Sequence, residues 1–306
     1  MNKITERLLR AVSDWTGVPQ DTAYNIREDG LCAGRQSTKN VLIASKADKP
    51  GIDVTVLPGS KGETVYIPAC VTHSAVDDLV YNDFYIGENA DVTIVAGCGV
   101  HADGEEDARH NGIHRFVLAR GAHVLYLEKH LGTGEGAGAR RIDPITQVEQ
   151  AEDSVMEMET TQIGGVDSTN RKMSARLAAG ATLRVRERLL TDGSQQAVTD
   201  FDVTLDGDGS GCDLISRSVA RDDSHQSFRS LIRGNRPCTG HSECDAIIIG
   251  HGKVSAAPEL VAGHEDAALI HEAAIGKIAG EQILKLCTLG LTEEEAEAKI
   301  VEGFLR

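Results

Sequence analysis

Metal-binding side chains gather toward the C-terminal end of the chain, at Cys244, Asp245, His251, His264, Glu265, His271 and Glu272. A thiolate is the soft ligand that iron in a sulfide cluster prefers, whereas imidazole and carboxylate groups are more easily displaced. One or two thiolates helped by His and Glu would hold such a group and still release it. Each residue taken singly has an ordinary explanation. An isolated strand Cys is usually a small core hydrophobe, and His and Glu are common on surfaces. A second set, Cys98, His101, His110 and His114, has spacing that could bind zinc on a loop, but that loop is rich in Gly, Asp and Glu and has no second cysteine. Cys98 remains as a candidate internal thiol, and cysteines 32, 70, 212, 238 and 287 call for nothing beyond packing.

Several chemistries are excluded. The cysteines are odd in number, widely spaced and never arranged as C-x-x-C, which argues against a disulfide framework, a zinc ribbon and a permanent four-cysteine cluster. Gly250-His251-Gly252-Lys253-Val254 lacks the first glycine and the hydroxyl residue of a phosphate-binding loop, and His264-Glu265 has no second His four residues on. No nucleophile elbow occurs, and no spaced carboxylate pair singles itself out for glycoside hydrolysis. The chain is therefore expected not to be an enzyme. Its formal charge of -16 and its lack of a Lys/Arg stripe exclude nucleic acid as a partner. No apolar run approaches the ~20 residues of a membrane span, and the amphipathic N-terminus has no apolar signal core, so a cytoplasmic location off the membrane is expected.

The elements that must position these residues follow from periodicity. Ile4, Leu8, Leu9, Val12 and Trp15 fall on one face of a short helix. From about residue 40, β-branched runs alternate with period two and are split by Gly, Asp and Asn. They recur near every 30 residues at Val65, Val92, Val124, Val155, Leu183, Leu214 and Ala246, the last two near Cys212-Asp213 and Cys244-Asp245. Such a repeat predicts stacked β coils that bury their inner faces on one another, a mainly β solenoid. Near residue 265 the pattern turns helical, with Ile275, Ile278, Ala279, Ile283 and Leu286 on one face. Gly290 suits a helix C-cap, and Thr292 with Glu295 forms a capping box for a second helix. The expected division is an N-terminal helical segment over 1–40, a β core over 41–262 and a C-terminal helical domain over 263–306.

Three strings then carry a resemblance: Cys244-Asp245-Ala246-Ile247-Ile248-Ile249-Gly250, His271-Glu272-Ala273, and Gly290-Leu291-Thr292-Glu293-Glu294-Glu295-Ala296 followed by Ile300-Val301-Glu302-Gly303-Phe304. Together they resemble the C-terminal region of the SufB/SufD family, subunits of the SUF system of iron-sulfur cluster assembly. A weaker likeness runs back through His114-Arg115-Phe116-Val117-Leu118 and Gly121 to Tyr126. The resemblance implies a right-handed parallel β-helix flanked by helices, and a scaffold that builds a transient iron-sulfur cluster. It implies a SufC-type ATPase docked on residues 273–304, a second copy or a SufD-like paralogue at a dimer interface, a sulfur donor and apo-protein acceptors. Carried over residue by residue, it makes Cys244 the cluster-assembly thiolate, Glu272 its carboxylate partner and His271 the histidine kept in SufD-type chains. Cys together with His-Glu is more SufB-like. The long N-terminal domain of typical bacterial SufB is not matched, so the resemblance is to compact SufBD-type chains that work as a homodimer. The alternative role is a structural ATPase-binding subunit without its own cluster site.

Overall fold

A computed structural model describes residues 2–17 and 21–306. Helix α1 (Lys3–Ser13) starts where the Asn2 side chain accepts from the Thr5 amide at 2.8 Å, and ends where Asp14 turns left-handed at φ 53°. Two antiparallel hairpins follow, β1 (Ala23–Glu28) with β2 (Leu31–Gln36) and β3 (Val41–Ser45) with β4 (Gly51–Val56). The next strands are β5 (Glu63–Val71), β6 (Asp77–Ile86), β7 (Asp91–His101), β8 (Ala108–Leu118), β9 (His123–Thr133), β10 (Arg140–Ile142), β11 (Ile145–Gln150) and β12 (Val155–Ile163). The series continues through β13 (Ser168–Leu177), β14 (Thr182–Thr191), β15 (Gln196–Leu205), β16 (Ser210–Ala220), β17 (His225–Gly234), β18 (Cys238–Ile248), β19 (Lys253–Ala262) and β20 (Ala267–Gly276). Helices α2 (Gly280–Cys287) and α3 (Glu293–Phe304) close it.

From β5 onward successive strands fall alternately in two facing sheets, with β10 and β11 sharing one level, and each pairs in parallel with the preceding strand of its own sheet. The first sheet runs β2-β1-β5-β7-β9-β12-β14-β16-β18-β20 and the second β19-β17-β15-β13-β10-β8-β6-β4-β3, with β11 joining β8 to β13. This is a parallel β-solenoid of about 8 turns, as the 30-residue recurrence predicts. One corner is built from a stack of left-handed residues, Asn89, Gly121, Asp153, Gly180 and Gly209. The amide of each donates to the carbonyl of the next coil at 2.8–3.0 Å. Asn, Asp and Gly tolerate this conformation best, which explains their recurrence before each strand of the first sheet. Inside, Phe84 stacks on Phe116 at 4.5 Å, and Phe116 meets Tyr126 edge-on at 5.1 Å.

The observed register differs from the predicted one. Val124 does pair with Val92, but its next partner is Met156, and Leu183 pairs with Cys212, not Leu214. Cys212 lies beside Gly240 and Cys244 beside Ser216, so the two Cys-Asp dipeptides sit four positions apart in the coil. Coil length varies at the turns, and the eye aligns similar strings where the backbone aligns hydrogen bonds.

The boundaries differ as well. Strand structure begins at Ala23, ahead of residue 41, and continues past 262 through β20. Ile275, expected on a helix, lies in β20, and Ile278 and Ala279 precede α2. Residues 267–276 have an apolar spacing that suits either period, and the open edge of β18 selects the strand. The capping box at Thr292 and Glu295 is present, and Gly290 is left-handed at φ 98°. Helix α3 packs Val301 and Leu305 against Val219, whereas α2 buries no residue. Helix α1 lies on the outer face of β7 over two glycines. A Cβ at Gly97 would stand 2.5 Å from the Val12 carbonyl oxygen, and one at Gly99 2.9 Å from the Leu8 Cβ.

Two outcomes test this packing. Phe116→Ala removes the ring shared by Phe84 and Tyr126 and is expected to cost about 3–5 kcal/mol in denaturant unfolding. Gly97→Val forces α1 off β7, so limited proteolysis is expected to cut within residues 3–17 faster than in the wild type.

Candidate functional site

Parallel strands in register place paired residues on the same face of the sheet, and successive residues on opposite faces. Cys244 on β18 is buried at 3% exposure and belongs to the interior core. Its partner on β20 is Ala273, while His271 pairs with Ser242 and Glu272 with Glu243. Ser242 is buried inside, so His271 shares the inner face with Cys244, one position along the diagonal. Glu272 lies on the outer face, 3.9 Å from the imidazole of His241. The register therefore sets Cys244 and His271 on one face, two residues apart along the strand, and Glu272 on the other. The alternation of a strand overrides the expectation that a His-Glu pair could face one thiol.

The other C-terminal candidates are dispersed. Asp245 alternates outward beside Glu243, whose carboxyl is raised by burial and by that neighbouring acid. His251 is an exposed turn residue near Asp223, and His264 and Glu265 belong to the turn before β20. Among the described residues no group of three or more His, Cys, Asp or Glu side chains is placed to hold a metal ion.

The second set, whose spacing could bind zinc, is dispersed only in part, since Cys98, His110 and His114 line one small interior cavity. His101 bonds Thr133 at 2.9 Å, His110 bonds Asp78 at 3.0 Å, and His114 bonds Tyr126 at 2.8 Å. Cys98 faces inward opposite His130. Burial pushes both the Cys98 and Cys244 thiols up, Cys244 to about 12 with further contributions from Glu187 and Asp245.

A feature absent from the sequence reading lies between these thiols. The ladder that carries Cys244 runs Ala96, Glu128, Thr160, Glu187, Ser216, Cys244 and then Ala273 through the interior of the first sheet. The guanidinium of Arg171 donates to Glu128 at 2.6 Å and lies 3.4 Å from Glu187. Tyr126 donates to Glu128 at 2.9 Å, and Glu187 accepts from Thr199 at 2.9 Å and Ser216 at 2.7 Å. Glu128, Glu187 and Arg171 are all buried at 6% exposure or less. The charges of His130 and Arg171 beside it hold Glu128 well below the usual carboxylate range despite the desolvation that opposes ionisation. A polar, charged column thus connects the Cys98 level to Cys244 inside the coil. The same ladder position is apolar at Ile67, Ala96 and Ala273, and only the true register shows that its polar members stack.

The solenoid ends just beyond this column. Strands β20 and β19 are the last of their sheets, and Ile270, Ile275 and Val261 are exposed on them at 58%, 40% and 40%. An open edge with exposed apolar residues is a template for another chain. A groove of about 670 Å³ lies elsewhere, on the outer corner at Arg176, Asp206 and Arg236. Arg176 and Asp206 are paired with each other there at 2.7 Å, and the groove adjoins none of the candidate ligands.

Residues 81–304 match the family model described as the SUF system iron-sulfur cluster assembly SufBD core domain. An iron-sulfur cluster assembly SufBD family protein of Methanothermobacter thermautotrophicus strain Delta H is 29% identical over 277 residues, covering 89% of this chain and 66% of that protein. The like-named protein of Archaeoglobus fulgidus is 28% identical over 271 residues, covering 86% of this chain and 70% of that one. A Methanocaldococcus jannaschii relative is 38% identical over 104 residues, 34% of this chain and 33% of the relative. The chain spans about two-thirds of the length of the first of these proteins. It belongs to the SufBD family, whose members are named for iron-sulfur cluster assembly.

The buried column generates two expected outcomes. Arg171→Met leaves Glu128 and Glu187 without their shared cation and is expected to destabilise the fold by about 3–5 kcal/mol in denaturant unfolding. Burial drives His114 down to about 4, against about 6.5 in an unfolded chain. Between those values the unfolded state binds a proton that the folded state refuses, so stability falls as pH drops from about 6.5 to about 4. His114→Gln is expected to flatten that stretch of the stability profile.

Proposed function

We propose that this SufBD-family chain is a cytoplasmic scaffold, not a turnover enzyme, on which a transient iron-sulfur cluster is built at Cys244 and His271 where two solenoids meet end to end. The observation that carries this reading is the position of Cys244: an inward thiol, one strand from the open end of the coil, sharing its face with an imidazole. Among the described residues one chain offers no group of three or more ligands there to close a cluster site. A second copy, or a paralogue, stacked on β19 and β20 doubles the set, because a two-fold axis repeats every ligand across the junction. Such a set, thiolate with imidazole, binds iron and sulfide while remaining labile enough to pass them to acceptor proteins. Glu272, on the outer face of the same strand, is the weaker candidate ligand.

The α2–α3 hairpin is the proposed docking element for a SufC-type ATPase. Helix α2 buries nothing within the chain and exposes Leu284 at 65%, while Leu289 beyond it is 77% exposed. An apolar helical face of this kind fits a groove on a partner. ATP-driven movement of the hairpins would then strain or separate the junction that holds the cluster, and a sulfur donor and apo-protein acceptors would meet the complex there.

Anaerobic reconstitution with iron and sulfide tests the reading. Wild-type protein is expected to gain visible absorption and bound iron, Cys244→Ala to lose nearly all of it, and His271→Ala to lose more than Glu272→Ala. Equal iron and sulfide in wild type and Cys244→Ala, with ATPase binding retained, would replace this reading with that of a structural subunit.

A further inference from the structure

The groove of about 670 Å³ follows the outer corner where the second sheet turns into the first, so it crosses the coils instead of running along a strand. Five successive coils line it, from Val117 on β8 to Arg236 just past β17. Neighbouring strands lie about 4.8 Å apart, which makes it ~19 Å long, the span of about six extended residues. Its floor is small and apolar, with Ala151, Ala178 and Ala179 above the buried Leu177. Amides at this corner are already engaged along the stack: Ala178 donates to the Gln150 carbonyl and Asp206 to the Leu177 carbonyl, both at 3.0 Å. No open strand edge therefore faces the groove, and an occupant must be recognised by side chains.

The polar groups gather at one end. The Gly209 amide donates to the Pro237 carbonyl at 2.8 Å, which sets the preceding residues, Asp208 and Arg236, side by side on adjacent coils. Both are exposed, both line the groove, and among the described residues neither has an ion-pair partner. The other charges nearby are matched, Arg176 with Asp206 at 2.7 Å and Arg115 with Glu149 at 3.0 Å. Gln150 lines the groove at 4% exposure; its amide nitrogen donates to the Thr182 carbonyl at 3.0 Å, and its amide oxygen has no partner. An occupant with N–H groups would satisfy that acceptor. A free carboxylate beside a single free guanidinium disfavours phosphate-rich ligands, and the length exceeds that of one amino acid. We propose that the groove docks an extended segment of a partner protein, about six residues long. It is apolar over Ala151 to Ala179 and carries neighbouring basic and acidic side chains that meet Asp208 and Arg236. Neither Cys244 nor a cluster takes part in this contact.

The test selects a phage-displayed library of random octapeptides on the full chain. Enriched sequences are expected to converge on an apolar run followed by one basic and one acidic residue. The synthetic consensus peptide, labelled for fluorescence anisotropy, is expected to bind wild type and Cys244→Ala alike. Arg236→Ala is expected to weaken it about tenfold, the size of a lost hydrogen bond to a charged group. Ala179→Trp fills the floor and is expected to abolish binding, with thermal unfolding checked in both variants. A benzophenone placed in the apolar run of the peptide is expected to label the wild type around Ala151 and Ala178, a readout independent of any variant. Lack of convergence, affinity unchanged in Arg236→Ala, or labelling confined to another surface would overturn the proposal. Because binding is read without iron and with Cys244 removed, its failure is distinguishable from failure of the cluster site.

Discussion

Backbone hydrogen bonding between in-register parallel coils ties every residue to the face of its ladder partners. Much else in this molecule depends on that constraint. It gathers Phe84, Phe116 and Tyr126 into one core, stacks the left-handed residues of the corner, and sends Cys244 and His271 inward while turning Glu272 outward. A side chain cannot change faces without shifting the whole strand by a residue, which would expose its apolar set. The coil thus fixes which ligands can meet before any metal arrives.

The same constraint permits a charged interior. Glu128 and Glu187 stand two coils apart on one ladder, with Thr160 between them, and Arg171 reaches both from the facing sheet. Carboxylates so deeply buried persist because their oxygens are paired or hydrogen-bonded. A purely apolar filling would suit stability at least as well, so the column is best understood through what it adjoins: Cys98 and its neighbour His130 at one end, Cys244 at the other. It carries polar and charged side chains through the interior from the coils at Cys98 toward Cys244.

Much of this was legible in the sequence. The 30-residue recurrence, the capped final helix and the three C-terminal strings identified the solenoid and the SufBD family correctly, because turn residues and caps are local signals. Register was not legible. Leu183 faces Cys212 because turns differ in length by a few residues, and no local string records that slack. The column was missed for the same reason: a lone Glu128 among Val124, Tyr126 and His130 looks like an ordinary half-exposed strand residue until its neighbours are known. The end of the coil was misplaced because Leu269 to Ile275 fits either period, and only the open edge of β18 decides.

The central claim is that iron assembles on Cys244 at the open end of the solenoid. Anomalous diffraction at the iron edge, from crystals reconstituted and grown without oxygen, tests it most directly. The account predicts iron density bonded to Cys244 Sγ with His271 of the same chain or its partner copy alongside. Iron on the outer face at His241 and Glu272, or at the Cys98 level with Cys244 bare, would contradict it.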